Sequence, residues 1–284
     1  MKPFPIPVVP VGPGSQGDES PDYLAMPKGM ETFTAPRLPE NVAPDVMEAA
    51  SRILAEHVHR MAEAGFDATI PARTDLFGVP APVRDVITQS LGFGEVSAFT
   101  VAPLQWRIQE TAFAGLWRVL ALDEAGRVVG DLLEGSAIPA VLGECMRETA
   151  AEVLPPPAYP PGVMNAEALV EEIRQQAAHW QPGGAAHVIN LTLLPVSEAD
   201  LDTLYGWLGH REVSILSRGY GNCRITSTRL KNVWWVQYFN SMDALILNTL
   251  EITTMPEVAL ASADDYADSV ERLGEYLEFM VEPA

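Results

Sequence analysis

The stretch of the chain richest in groups that could do chemistry is "LSRGYGNCRI", residues 216–225. Its ten residues include two Arg, two Gly, a Tyr, an Asn and one of the two Cys of the sequence. Such a set suits three kinds of site: a reactive thiol, a loop that binds phosphate, or a surface that another protein recognises. Each kind of site requires a different spacing of residues and different helices, strands or turns to position them.

The thiol possibility concerns Cys223. A reactive cysteine needs solvent access and groups that lower its pKa, whereas a lone cysteine is more often a small buried hydrophobic residue. Cys223 aligns with Trp106 in an internal repeat of the sequence, which favours apolar surroundings. It forms no CxxC pair with Cys145, so we expect both thiols to be reduced. The pattern favours a structural cysteine over a catalytic one.

The phosphate possibility depends on glycine spacing. A G-x-G pattern opens at Gly219, but Arg224 stands where a dinucleotide-binding loop has its third glycine, and no lysine–hydroxyl pair follows. The glycines therefore predict a tight turn or a bulge with positive φ. Arg218, Tyr220 and Asn222 are then left either to cap local backbone groups or to contact a partner, and both interpretations stay open.

The histidines do not predict a metal site. His57 and His59 lie two residues apart on a predicted helix and point to different sides, with His57 on the apolar stripe. The other three have no ligand-type residue at helical or hairpin spacing: His179, His187 and His210. A contact of His210 with Cys223 across a hairpin is the one alternative. With no Ser-His-Asp set or paired carboxylates either, the residues predict neither a metal site nor a catalytic site.

The charge balance narrows the choice of partner. With 18 Lys and Arg against 38 Asp and Glu, the net charge is −20. This argues against nucleic acid, which needs a basic face, and is compatible with a basic segment of a partner protein. The charge is uneven, since residues 257–284 hold eight acids against one Arg, whereas residues 208–256 hold five Lys and Arg against three acids.

No membrane or secretory segment is predicted. No apolar run approaches the roughly eighteen residues that a membrane-spanning helix needs. The N-terminal stretch "MKPFPIPVVPVGPGSQGDESPDY" carries prolines at short intervals, and these prevent the helical apolar core of a secretory signal. We expect a cytoplasmic protein that inserts into no membrane.

The sequence contains a diverged copy of itself. Residues 91–142 lie over residues 208–259 at an offset of 117 without a gap. Identical residues recur in both stretches, among them Trp117 and Trp234, Arg107 and Arg224, and Glu134 and Glu251. We interpret this as an internal duplication. Residues shared by both copies are expected to serve the fold, and residues unique to one copy are freer to serve function.

Each copy predicts a helix, a short strand, a helix and a run of antiparallel strands, which makes the fold class α+β with a pseudo-two-fold repeat. The strand signal is the alternation in "EVSAFTV", "WRIQET", "LWRVLAL" and "VVGDLLE". We predict an extended Pro/Gly-rich arm over residues 1–42, a first repeat over 43–152, a Pro-rich linker over 153–163 and a second repeat over 164–284.

Three long stretches of the chain resemble one known family. The stretch "ILSRGYGNCRITSTRLKNVWWVQYFNSMDALILNTLEI", with "HVINLTLLP" before it and "PDYLAMPKGMETFTAPRLPE" in the arm, resembles the HupH/HoxQ/HyaF family of hydrogenase expression/formation proteins. The resemblance implies an accessory protein or chaperone that matures the small, iron–sulfur subunit of an uptake [NiFe] hydrogenase before twin-arginine export. It also implies a thioredoxin-like accessory protein as a second partner, and neither an enzymatic activity nor a cofactor.

The expected partner-binding residues lie in and near the opening stretch: Arg218, Tyr220, Asn222, Cys223, Arg224 and Asn240. Two alternatives remain at this point. One is a factor that uses Cys223 to handle or repair iron–sulfur clusters, and the other is a non-catalytic adaptor within the maturation complex.

Overall fold

The computed structural model describes residues 33–101, 104–219 and 221–281. In this part of the chain the helices are α1 (Pro44–Ala64), α2 (Ala81–Leu91), α3 (Ala140–Thr149), α4 (Ala166–His179), α5 (Glu198–Leu208) and α6 (Ala263–Val281). The strands are β1 (Ala72–Asp75), β2 (Val96–Thr100), β3 (Gln105–Glu110), β4 (Leu116–Leu122), β5 (Val128–Gly135), β6 (His187–Asn190), β7 (Val213–Ser217), β8 (Asn222–Ser227), β9 (Val233–Phe239) and β10 (Leu245–Ile252).

The ten strands form one antiparallel sheet in the order β1-β5-β4-β3-β2-β7-β8-β9-β10-β6. The two halves of the sheet follow the same order outwards from the middle, where β2 pairs with β7 and Ala98 lies opposite Ile215. These two residues are 117 positions apart, the offset at which the sequence repeats. The predicted α+β class with an antiparallel sheet is confirmed. The duplication and the boundaries of the four segments stay predictions.

Helices α2 and α5 lie on one face of the sheet, which we call the helix face. Arg118 of β4 donates to Thr88 Oγ1 of α2 at 3.2 Å. Gln237 of β9 and Asn248 of β10 donate to the Tyr205 hydroxyl of α5 at 3.0 and 3.2 Å. The strand registers between β4 and β9 place Arg118 and Gln237 on the same side.

The apolar core divides into three clusters around the sheet. One joins the first half of the sheet to α1, α2 and α6, and another joins the second half to α4 and α5. The third lies on the opposite face, where α3 and the 3₁₀ segment Glu257–Ala259 cover both halves. Trp117 and Trp234 belong to this third cluster and are fully buried, as expected for shared residues that serve the fold.

Local signals explain how individual helices begin. Ser197 caps α5, and Asp200 completes the capping box. The buried Asp200 carboxylate also accepts from the backbone N–H groups of Met164, Asn165 and Ala166, each at 2.8 Å. Burial opposes its charge, but the N–H donors outweigh that effect and hold the pKa of Asp200 well below its ordinary value. One carboxylate therefore fixes the starts of α4 and α5 together.

The arm and the linker both contact the body where they are described. Thr34 forms a bridge with Phe93, and the Arg37 carbonyl accepts from the Tyr276 hydroxyl at 2.8 Å. Residues 1–32 of the predicted arm lie outside the described residues. In the linker, the Pro155 carbonyl accepts from the Trp207 indole of α5 at 2.7 Å. Within the described ranges, no helix is both long and apolar enough to cross a membrane.

Candidate partner-binding site

The predicted site residues that the structure describes come together where strands β7 and β9 end and strand β8 begins. The turn after β7 and the turn after β9 lie side by side there, because Cys223 pairs with Ser217 on one side while Asn222 pairs with Phe239 on the other. We call this region the strand-end site, comprising Arg218, Asn222, Arg224 and Asn240. Tyr220, which was predicted to belong to it, lies outside the described residues.

The turn between β7 and β8 packs against the start of β2. The backbone N–H of Arg218 donates to the Glu95 carbonyl at 3.1 Å, and the Glu95 carboxylate lies directly over Gly219. A Cβ on Gly219 would meet that carboxylate, so a larger residue there would displace the end of the exposed Glu95 side chain. Gly221 has a φ of 103°, which confirms the positive φ predicted for this turn.

Arg224 holds its charge at the surface of the site. Its guanidinium carbon lies 4.3 Å from the centre of the Phe239 ring, and a terminal nitrogen lies 3.9 Å from a carboxylate oxygen of Asp243. The ring covers one side of the guanidinium, while the Arg224 side chain stays 29% exposed. A positive charge held in place in this way can still meet a partner.

Asn240 closes the turn between β9 and β10. Its side-chain oxygen accepts from the backbone N–H groups of Met242 at 2.9 Å and Ala244 at 3.0 Å. The turn includes Asp243 in the left-handed region, with a φ of 57°. Asn240 therefore shapes the turn, and Met242 at its tip is 86% exposed. A partner at this site would meet Met242, which the sequence analysis did not single out.

Cys223 faces away from the rest of the site. It lies on the other side of β8 from Arg224, in the core cluster that also contains Trp234, and is 2% exposed. Burial, partly offset by a hydrogen bond with the Tyr238 hydroxyl, raises the pKa of the Cys223 thiol to about 12. A buried neutral thiol offers neither a surface to a partner nor a ready nucleophile.

The two arginines shared by the copies lie on the helix face of the sheet. Arg107 of β3 and Arg224 of β8 both project from the helix face, where Arg107 is exposed and Arg224 is half-buried. Their role in the fold stays a prediction; Arg224 contacts the Phe239 ring and lies near Asp243 within the fold. The exposure of a strand residue depends on which helices pack over the strand. The repeat in the sequence does not predict where those helices pack.

Two buried titratable groups lie outside this site. Burial raises the pKa of Glu110 to about 7, although the backbone N–H of Gly115 donates to it at 3.3 Å. Burial and the nearby Arg60 charge lower the pKa of His57 to about 4, and its Nδ1 contacts Thr74 Oγ1 at 2.8 Å. Glu110 aligns with Ser227 in the second copy, so the repeat did not mark Glu110 as a residue shared by both copies.

Metal ligands are not grouped in the described part of the chain. Across residues 33–101, 104–219 and 221–281, no three His, Cys, Asp or Glu side chains are placed to hold a metal ion together. His210 stacks on Tyr205 with ring centres 5.8 Å apart, whereas Cys223 belongs to the cluster on the opposite face. The alternative contact between His210 and Cys223 is therefore wrong.

Comparison with known families gives a match over most of the chain. The family described as HupH hydrogenase expression protein, C-terminal conserved region, matches residues 46–151 and 163–280 of this chain. Each matched stretch contains one half of the sheet.

Two relatives are similar to this chain over nearly its full length. The chain is 44% identical over 282 residues to the hydrogenase expression/formation protein HoxQ of Cupriavidus necator, covering 99% of each chain. It is 44% identical over 278 residues to the hydrogenase expression/formation protein HupH of Rhodobacter capsulatus, covering 97% of this chain and 98% of that one. A solved structure of the hydrogenase expression protein HupH from Thiobacillus denitrificans is 29% identical, with a TM-score of 0.38, and covers 40% of this chain and 96% of that one.

Proposed function

Because this chain belongs to the HupH family of hydrogenase expression proteins, we propose that it is a non-catalytic accessory protein for the maturation of a [NiFe] hydrogenase. Its client in this proposal is the precursor of the small, iron–sulfur subunit before twin-arginine export. The observation that carries the proposal is the family match, which extends over both halves of the sheet. The relatives' names refer to hydrogenase expression and formation.

The strand-end site supports binding rather than catalysis. Its polar groups, Arg218, Asn222 and Arg224, are half-buried at the end of the sheet, where a folding or folded subunit could meet them. Cys223 has the opposite environment, and a thiol with a pKa of about 12 is ionised in only about one molecule in 10⁵ at pH 7. This argues against the alternative in which Cys223 handles iron–sulfur clusters.

The net charge supports recognition of a basic segment. A chain with a charge of −20 attracts a basic leader at long range, and the attraction weakens as salt screens it. The acids of α6 contribute to this field, since Asp264, Asp268 and Glu271 are all exposed. In this proposal charge accelerates the encounter with the twin-arginine leader, and the strand-end site contributes contacts that hold the client.

The proposed setting is the cytoplasm, before the precursor is exported. A thioredoxin-like accessory protein is the second proposed partner. A surface for that partner would lie apart from the strand-end site if both proteins hold the client together, and two separable binding faces would then make this chain an adaptor as well as a chaperone.

The proposal is tested by capture of the client from cells that make the cognate hydrogenase. The tagged full chain is purified in the presence of the small subunit with and without its leader, and the eluate is assayed for iron. Capture of the precursor, without iron on this chain alone, is the expected result. Absence of any hydrogenase subunit from the eluate, or iron retained by this chain through Cys223, would contradict it.

A second arm of the experiment tests the role of charge. Capture is repeated from 50 mM to 500 mM salt, and we expect it to fall as the Debye length shortens from above 10 Å to below 5 Å, roughly. Charge reversal at Asp264, Asp268 and Glu271 should weaken capture at low salt and leave capture at high salt unchanged. Binding that ignores both changes would remove electrostatic attraction from the proposal.

A further inference from the structure

An exposed apolar surface lies beside the strand-end site, where β9 ends and β10 begins. We call it the apolar ledge, and its large side chains come from three separate segments of the chain: Met164, Leu193, Leu194, Met242 and Ile246. Leu193 is 80% exposed and Ile246 is 56% exposed. Exposed apolar side chains are ordinary when they are scattered singly, whereas a group of them marks a surface that another molecule covers.

The side chains from β10 and from the loop after β6 lie next to each other. The backbone N–H of Asn248 donates to Thr192 Oγ1 at 2.8 Å, so Leu193 lies beside the first residues of β10, which include Ile246. Met242 precedes Ile246 by four residues, in the turn between β9 and β10. Four residues and one strand spacing put Met242 and Leu193 at most about 18 Å apart.

The third segment meets the loop after β6 at the starts of α4 and α5. The Asn165 side-chain amide donates to the Pro195 carbonyl at 2.6 Å, which brings the neighbouring residues Met164 and Leu194 together. The buried Asp200 carboxylate holds this contact in place, because it accepts from the backbone N–H groups of Met164 and Asn165. The ledge is therefore built on a fixed part of the second half and continues from the strand-end site.

The three segments of the ledge carry acids and no base. Residues 160–167, 188–198 and 240–248 contain Glu167, Glu198 and Asp243, and no Lys or Arg. All three acids are exposed, and Arg224 offsets the charge of Asp243 in part at 3.9 Å. An uncharged apolar centre with acids at its rim is complementary to an apolar segment that has basic residues beside it.

The proposed client carries a segment with this chemistry. A secretory leader has a basic stretch followed by an apolar stretch of about 7–15 residues, and a twin-arginine leader has paired arginines in its basic stretch. As a helix, ten residues of the apolar stretch are about 15 Å long. That length is similar to the span of the ledge between Met242 and Leu193.

We propose that the apolar ledge binds the apolar stretch of the client's leader, with the leader's basic residues beside Glu167, Glu198 and Asp243. The two methionines of the ledge suit this role, because their flexible side chains adapt to different apolar sequences. The strand-end site then contacts the subunit that follows the leader. The inference rests on the proposed function and adds which part of the client binds, and where.

Thiol labelling at single positions tests the inference directly. Leu193→Cys puts a thiol on the ledge, and Ile70→Cys puts one at an equally exposed apolar position before β1. The native thiols, Cys145 and Cys223, are buried. A synthetic peptide with the leader sequence, at about ten times its Kd, should slow the labelling of Leu193→Cys roughly tenfold and leave that of Ile70→Cys unchanged.

Two altered peptides separate the apolar and the charged contributions. Replacement of the apolar residues of the leader by Ser should abolish the protection of Leu193→Cys. Replacement of the paired arginines by Gln should raise the peptide concentration needed for protection at low salt, and this difference should shrink at high salt because the charges are then screened. Protection that the first replacement leaves intact would remove the apolar contact from the inference.

Capture of the full client from cells connects the ledge with the proposed function. Leu193→Ser with Met242→Ser should lower capture of the precursor by roughly tenfold or more, because both side chains lie in the centre of the proposed contact. Ile70→Ser with Phe279→Ser removes two exposed apolar side chains elsewhere and should leave capture unchanged. Any capture of the client without its leader should be the same for the wild type and the ledge variant.

Failure of the inference and failure of the proposed function give different results. Undiminished capture by the ledge variant, or labelling of Leu193→Cys that the leader peptide does not slow, would overturn the inference alone. An equal loss of capture with and without the leader would assign the ledge to the mature subunit, and slow labelling without peptide in a dimeric chain would assign it to a second copy. No capture by the wild type would contradict the proposed function, and peptide protection of Leu193→Cys would then still decide the inference.

Discussion

Trp117 and Trp234 occupy equivalent places in the two halves of the sheet. Each lies opposite a glutamate on the next strand, Glu134 or Glu251. Each indole N–H donates to a backbone carbonyl nineteen residues further along the chain, at 2.9 Å for Ser136 and 3.2 Å for Thr253. The two side chains therefore make the same buried contact twice in one sheet.

This equivalence predicts matched losses of stability. Trp117→Phe and Trp234→Phe each keep most of the apolar volume and remove the buried N–H donor, so each should lower the free energy of unfolding by about 1–3 kcal/mol. Urea denaturation measures the loss. Trp180→Phe removes an indole bond to the Ala185 carbonyl at a half-buried position and should lose less. A large loss from only one of the two buried tryptophans would contradict their equivalence.

Glu110 predicts a loss of stability as the pH rises. Burial raises its pKa from 4.5 to about 7 in the folded chain, so its contribution is fully present below pH 4.5 and is lost as the pH rises through 7. By pH 8 the loss approaches about 3 kcal/mol. Glu110→Gln should therefore melt above wild type at pH 8 and close to it at pH 5. Glu124→Gln in an exposed turn is the control, and parallel pH profiles for all three proteins would rule out a neutral Glu110.

His57 predicts the opposite dependence. Burial and the Arg60 charge lower its pKa from 6.5 to about 4, so its contribution is present above pH 6.5 and is lost as the pH falls through 4. His57→Gln should flatten the decline of the melting temperature between these pH values. His59→Gln changes an exposed histidine of the same helix and should keep the wild-type decline. The variant's lower baseline does not affect the comparison, because the slope with pH is what is measured.

The two cysteines should be inert in the folded protein. Burial raises the pKa of both thiols, in each case partly offset by a side-chain hydrogen bond, which joins Cys145 with Thr100 and Cys223 with Tyr238. We expect N-ethylmaleimide to leave both unmodified at pH 7.5 until denaturant is added, as followed by mass spectrometry. Rapid labelling of Cys223 in the native chain would contradict this prediction and would support the alternative in which Cys223 is a reactive thiol.

Arg224 should contribute to client capture more than to stability. It is half-buried, and its contacts with Phe239 and Asp243 are of the kind worth about 1 kcal/mol or less at a surface. Arg224→Gln should reduce capture of the small-subunit precursor while the melting temperature shifts by only a few degrees. Arg52→Gln, at an exposed position of α1, is the matched control. Equal capture by the two variants would place the client elsewhere on the surface.

The alternation and the repeat in the sequence determined most of the local structure. Period-two patterns located the strands, because side chains alternate between two faces whose burial differs. At the start of α6, Ser262 and Asp265 stand at the spacing of a capping box, and the Asp265 N–H donates to the Ser262 hydroxyl at 3.0 Å. The apolar alignment of Cys223 with Trp106 likewise predicted a buried thiol. Each of these signals depends on residues close in the chain or on burial common to both copies.

The tertiary structure alone decided how the two halves meet. The pairing of Ala98 with Ile215 joins the two halves into one sheet. Backbone hydrogen bonds hold β2 to β7, and because every residue type has the same backbone groups, the sequence does not predict which strands pair. The same junction places Arg107 and Arg224 on one face of a continuous sheet, a relationship that their recurrence in the sequence did not predict. Whether a helix covers a strand residue depends on where α2 and α5 pack on the sheet. Contacts between elements that are distant in the sequence determine that position.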